Sequence, residues 1–310
     1  MNPISTIDFA QPGHTLQKEI DRAFADIGFL VARNIGIDHV LLNDVFRSSH
    51  AFFNQAADAK NQFEYRTAAE NFGYQGMQQE NLDPTAPADL KETFTMRNII
   101  NRPLTPDRWP SADFQALVSR LYANVFEAAN TLQRHLATIL EVPENFFTDV
   151  HSGENVTLRL LYYPAIPSNK VADRQLGAGA HTDYGMLTFL FQDSVGGLQV
   201  QGLDGQWIDV ETDNDSVVIN CGDLLERWTN GRYQSTLHRV QPKTEQQNRL
   251  SIAMFLDPDS KTQVQALDSC VQADNPARFP AVTAGEHIQE MLNASHKDRY
   301  KESKPIQTEK

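Results

Sequence analysis

The stretch Ala178-Gly179-Ala180-His181-Thr182-Asp183-Tyr184-Gly185-Met186-Leu187-Thr188-Phe189-Leu190-Phe191 changes character near its middle. Its second part, Met186–Phe191, is a short apolar and aromatic run that is typical of a buried strand. Its first part places His181 and Asp183 two positions apart, so that in an extended backbone both side chains project to one face. The stretch therefore predicts a strand with a pair of metal-ligating side chains at its entrance.

Short runs of the same kind lie on both sides of this stretch. They are Val156–Tyr163, Leu198–Gln201, Trp207–Val210, Val217–Ile219, Thr236–Val240 and Leu250–Phe255. Asp204-Gly205 predicts a tight hairpin between two of these runs, and Asn230-Gly231 predicts a turn before another. Several short strands at regular spacing indicate a β-barrel or a double-sheet jelly roll, whose mouth can hold a metal among inward-pointing side chains.

The chain before residue 155 has a mostly helical pattern. Apolar residues at helical spacing predict one helix that ends ahead of Gly28 and a long helix that ends ahead of Pro143. We therefore expect a mainly β fold with α-helices, in which a jelly-roll core is flanked by helices. Residues 1–310 are expected to form one catalytic domain, with a mostly helical N-terminal region 1–154, a jelly-roll core 155–260 that carries the metal site, and a C-terminal segment 261–310. The charged tail Lys301–Lys310 is expected to fray in solvent.

The composition restricts the class of protein. A formal net charge of −13 and a pI of about 5.1 argue against a nucleic-acid partner, because such partners require clustered Lys and Arg. Cys221 and Cys270 lie far apart, so a disulfide framework is not expected and a reducing compartment fits. The N-terminus lacks a signal-peptide pattern, and no apolar run reaches about 18 residues. These features predict a cytoplasmic protein without a membrane partner and leave the oligomeric state open.

A third candidate metal ligand lies on a later predicted strand. His238 stands in Ser235-Thr236-Leu237-His238-Arg239-Val240, and this strand can run beside the one that carries His181. Two imidazoles and one carboxylate occupy one face of a metal octahedron and leave the opposite face open, which is typical of non-heme Fe(II) oxygenases. The same ligand set also describes catalytic zinc sites, although the helical His-Glu-x-x-His pattern of many zinc hydrolases is absent.

Arg249-Leu250-Ser251 offers a complementary site for an anion. In a strand the first and third side chains share a face. The Arg249 guanidinium can donate two parallel hydrogen bonds to a carboxylate, and the Ser251 hydroxyl adds a third donor. This combination suits the distal carboxylate of a dicarboxylic co-substrate.

Several stretches together resemble those of the isopenicillin N synthase-like family of Fe(II)- and 2-oxoglutarate-dependent oxygenases. In the C-terminal half they are His181-Thr182-Asp183-Tyr184-Gly185-Met186-Leu187-Thr188, Gly197-Leu198-Gln199-Val200, residues 222–231, residues 235–240 and Arg249-Leu250-Ser251. In the N-terminal half they are Ile7-Asp8, Gly28-Phe29, residues 34–37, Phe72-Gly73-Tyr74 and Asp89-Leu90-Lys91-Glu92-Thr93-Phe94. The resemblance spans nearly the whole chain.

The resemblance implies a double-stranded β-helix, which is a distorted jelly roll. It implies Fe(II) held by His181, Asp183 and His238, with these three as the catalytic centre. It also implies that 2-oxoglutarate chelates the iron through its 2-oxo acid end, while its far carboxylate meets Arg249 and Ser251. Tyr163 stands where many family members have a tyrosine that adds a donor to 2-oxoglutarate.

The inward face of the Tyr163 strand provides candidates for substrate binding. Leu161 stands where many family members have Asn, so one polar contact near the iron is expected to be missing. By strand alternation Arg159 and Leu161 share the face of Tyr163. A buried Arg needs an anionic partner, so we expect Arg159 to contact either a substrate carboxylate or a protein carboxylate. Further candidates for the pocket wall are Tyr74, Phe94, Arg97, Tyr184 and Phe255.

The reaction that the resemblance implies consumes 2-oxoglutarate and O2 and releases succinate and CO2. A C–H bond of a small molecule is oxidised, by hydroxylation as the default or by desaturation or cyclisation, and secondary metabolism is one setting for such chemistry. The substrate carries a carboxylate if Arg159 or Arg97 faces it. Three other functions stay open: a family oxidase that uses the same iron site without 2-oxoglutarate, a zinc hydrolase, and a non-catalytic metal-binding barrel.

Overall fold

The structure, a computed structural model, describes residues 4–83, 85–213, 215–242 and 247–296. Its helices in these ranges are α1 Gly13–Asp26, α2 His39–Phe53, α3 Ala57–Asn61, α4 Ala112–Ile139, α5 Asp223–Trp228 and α6 Ala284–His296. Its strands are β1 Ser5–Asp8, β2 Phe29–Arg33, β3 Phe72–Gln75, β4 Glu92–Arg97, β5 Thr157–Tyr163, β6 Ala178–His181, β7 Leu187–Gln192, β8 Leu198–Gln201, β9 Trp207–Asp209, β10 Ser216–Cys221, β11 His238–Val240, β12 Arg249–Leu256, β13 Gln263–Val264 and β14 Val282–Thr283. The tail Lys301–Lys310 lies outside the described residues.

Two sheets face each other around a shared interior. The larger has the order β1-β2-β10-β7-β12-β5-β4-β3, and the smaller has the order β6-β11-β8-β9. Phe29 and Leu161 from the larger sheet and Ala178 and Val200 from the smaller sheet belong to one buried apolar cluster. The expected architecture, a jelly roll flanked by helices, is confirmed. Because β1 to β4 come from the first 97 residues, the larger sheet reaches beyond the span 155–260 that the sequence suggested for it.

Side-chain alternation gives the larger sheet two different faces. On β12, Leu250, Ile252, Met254 and Leu256 point outward into the apolar core beneath the helices. The intervening side chains from Arg249 to Phe255 point into the space between the sheets, since successive residues of a strand face opposite ways. The candidate site therefore lies on the inner face, and the helices cover the outer face.

Helix α4 forms the centre of the outer layer. Ser111 caps its first turn, accepting a hydrogen bond from the backbone N–H of Phe114 at 3.1 Å. Its apolar stripe, from Phe114 to Leu136, is buried against the sheet, as the periodicity predicts. No helix in the described ranges is long and apolar enough to cross a lipid bilayer.

Both turns that the sequence predicted are present. Gly205 has a φ of 78° in the connection between β8 and β9, which pair antiparallel. Asn230 and Gly231 have φ values of 52° and 79°, and this left-handed pair turns the chain between α5 and β11.

Two residues expected in the pocket wall lie on the other face of the sheet. Tyr74 and Phe94 belong to the core beneath the helices, where both contact the ring of Phe52 edge-on. The hydroxyl of Tyr74 donates to Glu92 at 2.6 Å. The expectation that Tyr74 and Phe94 line the pocket was wrong. On β3 and β4 the residues that face the interior alternate with these two, and on β4 they include Thr93 and Thr95.

We expect Phe94→Ala to lower the free energy of unfolding by about 3–5 kcal/mol, because it opens a cavity in a close-packed aromatic cluster. Phe94 is fully buried, and the rings of Phe52, Phe72 and Phe114 contact it. Urea unfolding followed by circular dichroism measures the change. Phe255→Ala, at a partly exposed site, is the matched control with a smaller expected loss. An unfolding midpoint for Phe94→Ala equal to that of the wild type would contradict this placement.

Candidate active site

Strands β6 and β11 bring two histidines together. His181 is the last residue of β6, His238 is the first residue of β11, and the two are opposite each other in the antiparallel pair. Their ring centroids are 4.3 Å apart. The expectation that the strand of His238 runs beside that of His181 is therefore confirmed.

Asp183 completes a group of three side chains. Its Oδ1 lies 3.9 Å from Nε2 of His181 and 3.7 Å from Nε2 of His238. Two ligands of one ion stand no more than about 4 Å apart, because each metal–ligand bond is about 2 Å long. Among the described residues this is the one group of three or more His, Cys, Asp or Glu side chains with the spacing to hold a metal ion.

Backbone carbonyls fix the orientation of both imidazoles. Nδ1 of His181 lies 2.7 Å from the carbonyl oxygen of Gly179, and Nδ1 of His238 lies 3.1 Å from that of Thr236. Since a carbonyl can only accept, each ring carries its proton on Nδ1. The lone pair on each Nε2 is therefore free to bind a metal ion.

The carboxylate of Asp183 is held through one oxygen only. Its Oδ2 accepts hydrogen bonds from Thr188 Oγ1 at 2.6 Å and from Asn220 Nδ2 at 2.8 Å. Thr188 and Asn220 are opposite each other on β7 and β10, and both face the interior. Oδ1 is left for a metal ion. Asn220 was not among the site residues predicted from the sequence, although a polar residue at an inward position of an apolar strand was the signal that could have indicated its role.

His181 and Asp183 have the protonation states that metal binding requires. Burial, together with the neighbouring His238, lowers the pKa of His181 to about 3. Burial by itself would raise the pKa of Asp183. The electrostatic effect of His238 and His181 and the two hydrogen bonds lower it by more, so the pKa of Asp183 lies below its ordinary value. A neutral imidazole and an ionised carboxylate are the ligand forms, so no proton has to be displaced at neutral pH.

Arg249 lies fully buried at another part of the same inner face. Its Nη1 donates to Ser251 Oγ at 3.0 Å and its Nη2 to Gln192 Oε1 at 3.0 Å, and its guanidinium lies 4.7 Å from the ring centroid of Tyr163. Its Nε is buried without a hydrogen-bond partner. No carboxylate in the described part of the chain forms an ion pair with it. A buried charge without a counter-ion costs several kcal/mol, so this end of the site fits an anion.

Arg159 is already paired within the protein. Its Nη2 lies 2.5 Å from Glu80 Oε1 and also donates to the hydroxyl of Thr93, and its Nε donates to the hydroxyl of Thr95. Of the two alternatives from the sequence, the structure thus has the protein carboxylate. Burial by itself would raise the pKa of Glu80. The charges of Arg159 and Lys91 lower it by more, so the pKa of Glu80 lies well below its usual range. Glu80 lies in an irregular segment, where no local sequence pattern indicated its role.

Lys91 is a second buried cation that sequence reasoning missed. Its Nζ lies 2.6 Å from Asp89 Oδ2 and 3.3 Å from Glu80 Oε2. Burial by itself would lower the pKa of Lys91. The charges of Glu80 and Asp89 have the larger effect, so the pKa of Lys91 is raised. Asp89 Oδ1 in turn accepts from the backbone N–H of Gly179, two residues before His181, at 3.0 Å. This network ties the segment before β4 to the strand of His181.

The other predicted pocket residues have different surroundings. Leu161 and Phe255 lie in the interior apolar cluster, and Arg97 stands at the end of β4 on its inward side. Tyr184 follows Asp183 directly and is partly exposed. These four residues therefore remain candidates for the pocket, unlike Tyr74 and Phe94.

Comparisons with known proteins agree with this geometry. Residues 154–258 match the 2OG-Fe(II) oxygenase superfamily. Residues 4–112 match a second family, which is described as the N-terminal region of the non-haem dioxygenase in morphine synthesis. A 2-oxoglutarate-Fe(II) type oxidoreductase, hxnY, of Emericella nidulans is 30% identical over 289 residues, which are 88% of this chain and 81% of the relative. The chain belongs to the 2OG-Fe(II) oxygenase superfamily.

Two further proteins are similar to the oxygenase over most of their length. Homoarginine-6-hydroxylase of Glycine max is 30% identical over 288 residues, covering 87% of this chain and 86% of the relative. The crystal structure of a full-length Neurospora crassa protein in complex with alpha-KG and thymine has a TM-score of 0.83 at 31% identity, covering 94% of this chain and 97% of that chain. The oxygenase is thus a 2-oxoglutarate-Fe(II) dioxygenase by family, and the cofactors expected from its sequence, Fe(II), 2-oxoglutarate and O2, are confirmed.

We expect Asn220→Ala to weaken Fe(II) binding about 10- to 100-fold, because Asp183 loses a hydrogen bond that orients it. Anaerobic titration calorimetry with Fe(II) measures the affinity. Asp183→Ala is the reference for complete loss, and Asp209→Ala, at an exposed site on β9, is the control that should bind as the wild type does. Equal affinity of Asn220→Ala and the wild type would show that Asn220 does not orient the ligand.

Proposed function

We propose that the oxygenase hydroxylates a C–H bond of a small molecule, with iron held by His181, Asp183 and His238. In the same proposal the far carboxylate of 2-oxoglutarate binds Arg249 and Ser251, beside Tyr163. The main support is the buried guanidinium of Arg249, which lacks a counter-ion among the described residues and shares the interior with an open three-ligand group.

The residues of the chain have separable tasks in this proposal. Ferrous iron with 2-oxoglutarate supplies the activation of O2, so that R–H, 2-oxoglutarate and O2 give R–OH, succinate and CO2. Thr188 and Asn220 keep one oxygen of Asp183 directed at the metal. The apolar surroundings of Leu161 and Phe255 exclude water, and the pocket decides whether hydroxylation, desaturation or cyclisation follows by fixing which C–H bond stands nearest the metal.

The relatives support a small polar substrate without identifying it. One relative is named a homoarginine hydroxylase, and the Neurospora crassa protein is seen with thymine. The pairing of Arg159 with Glu80 removes the main reason to expect a substrate carboxylate at that position. A carboxylate contact through Arg97 stays a prediction, as do a cytoplasmic location and a role in secondary metabolism.

We expect purified, iron-loaded protein under anaerobic conditions to show a visible charge-transfer band when 2-oxoglutarate is added. In air, succinate release should depend on 2-oxoglutarate and rise with a substrate from a small-molecule screen. Product masses then separate hydroxylation from desaturation. Substrate turnover without added 2-oxoglutarate would instead indicate the family oxidase. Hydrolysis with a preference for zinc and no band would indicate a zinc hydrolase.

We expect Arg249→Gln to raise the KM for 2-oxoglutarate about 10- to 100-fold, since it removes charge-assisted hydrogen bonds to a carboxylate. Succinate release at a series of 2-oxoglutarate concentrations measures the KM. Arg22→Gln, at an exposed position of α1, is the matched control and should leave it unchanged. A KM for Arg249→Gln within twofold of the wild type would place the co-substrate carboxylate elsewhere.

A further inference from the structure

The inner face of the larger sheet has two ends that differ in their charged residues. At one end Arg249 is opposite Tyr163. At the other end Arg97 on β4 is opposite Thr157 on β5, which is opposite Phe255 on β12. Phe255 in turn is opposite Thr188, the residue that holds Asp183. The row of Arg97, Thr157 and Phe255 therefore lies level with the metal-binding group, away from the co-substrate end.

The charges in the middle of this face neutralise one another. Arg159 pairs with Glu80, and Lys91 pairs with Asp89 and Glu80. Two cations and two carboxylates leave no net charge in this network. They hold the segment before β4 in place, so the polar groups free for a substrate have to lie elsewhere on the face.

Asp257 follows β12 directly and has no hydrogen bond or ion pair with another described residue. Its carboxylate lies directly against Gly185, two residues after Asp183, where a Cβ would collide with Asp257 Oδ1. Burial, together with the charge of Asp183, raises the pKa of Asp257 to about 7. An acidic group without a donor therefore faces the metal-binding loop.

Arg97 lies at the same end of the inner face as Asp257. By strand register Arg97 shares a row with Phe255, which is two residues before Asp257, and no ion pair forms between Arg97 and Asp257. The guanidinium of Arg97 also lowers the pKa of Asp257. The side chain of Arg97 donates from Nη2 to the carbonyl oxygen of Ala69 at 2.6 Å, and a guanidinium has further N–H groups with which to bind a ligand. Asp257 and the remaining N–H groups of Arg97 are therefore an acceptor and a donor at the same end of the interior.

We propose that Asp257 and Arg97 bind the polar end of the substrate: Asp257 accepts a hydrogen bond from an N–H group, and Arg97 donates to a neighbouring carbonyl or carboxylate oxygen. The substrate class is accordingly one that carries an amine, amide or ring N–H beside such an oxygen. A simple carboxylic acid without N–H fits less well, because it offers the ionised form of Asp257 no donor and repels its charge. This inference rests on the proposed function, since it concerns the same site.

The test uses two matched pairs of probes, which differ in the N–H group. They are L-phenylalanine with 3-phenylpropanoate, and uracil with 1,3-dimethyluracil. Each is titrated calorimetrically into the Fe(II)- and 2-oxoglutarate-loaded enzyme without O2, so that binding is measured apart from turnover. The charge-transfer band is recorded first, because its absence would count against the proposed function and not against this inference.

The variants are Asp257→Asn and Arg97→Gln. Asp259→Asn, whose carboxylate contacts Ser152, and Arg102→Gln, at an exposed position, are the matched controls. In the wild type we expect the N–H member of at least one pair to bind at least tenfold more tightly than its partner. Asp257→Asn should reduce that difference and keep the band, because its amide oxygen is a weaker, uncharged acceptor, whereas Arg97→Gln should weaken both members of the pair.

Two results would overturn the inference. The first is that the wild-type enzyme binds neither N–H probe more tightly than its analogue. This comparison uses the wild type alone, so it does not depend on whether a variant folds. The other is an Asp257→Asn enzyme that shows the band and retains the full difference between the members of a pair. Succinate release in air with the same probes gives a second readout, in which Asp257→Asn should raise KM more than it lowers kcat.

Discussion

The antiparallel pairing of β6 with β11 is the constraint on which the rest of the site depends. It places His181 opposite His238, and the short connection after His181 then brings Asp183 within reach of both rings. Neither histidine could be moved by one residue without turning its side chain to the other face of the smaller sheet. Among the residues that the structure describes, the interior between the sheets thus has one group of side chains with the spacing to hold a metal ion.

The interior between the sheets holds several charged side chains, and most of them are paired. The pairs Arg159 with Glu80 and Lys91 with Asp89 are mutually satisfied, and they join β4, β5 and β6 to the segment before β4. Arg249 differs because its counter-ion is not part of the described chain. The paired charges compensate one another, whereas the buried charge of Arg249 keeps a desolvation cost that an anion would offset. This distinction separates the wall of the site from its binding groups.

Much of the fold and of the candidate site could be predicted from local patterns. Strands β5, β7, β8, β10 and β12 were predicted to within one or two residues, because their runs of apolar and β-branched residues end at clear turn signals. The prediction failed for Tyr74 and Phe94, since alternation tells which residues share a face but not which face looks inward. It also missed Glu80 and Asn220, whose partners, Arg159 and Asp183, lie far away in the chain.

The sequence by itself determined the family, the ligand types and the spacing of His181 and Asp183, because these depend on residue identity and on the two-residue period of an extended chain. It also determined that Arg249 and Ser251 share a face. Only the tertiary structure decided which charges are paired and which are left for ligands. That decision depends on distances between segments remote in sequence, such as Glu80 from Arg159 and Asp257 from Gly185, and local patterns carry no information about such distances.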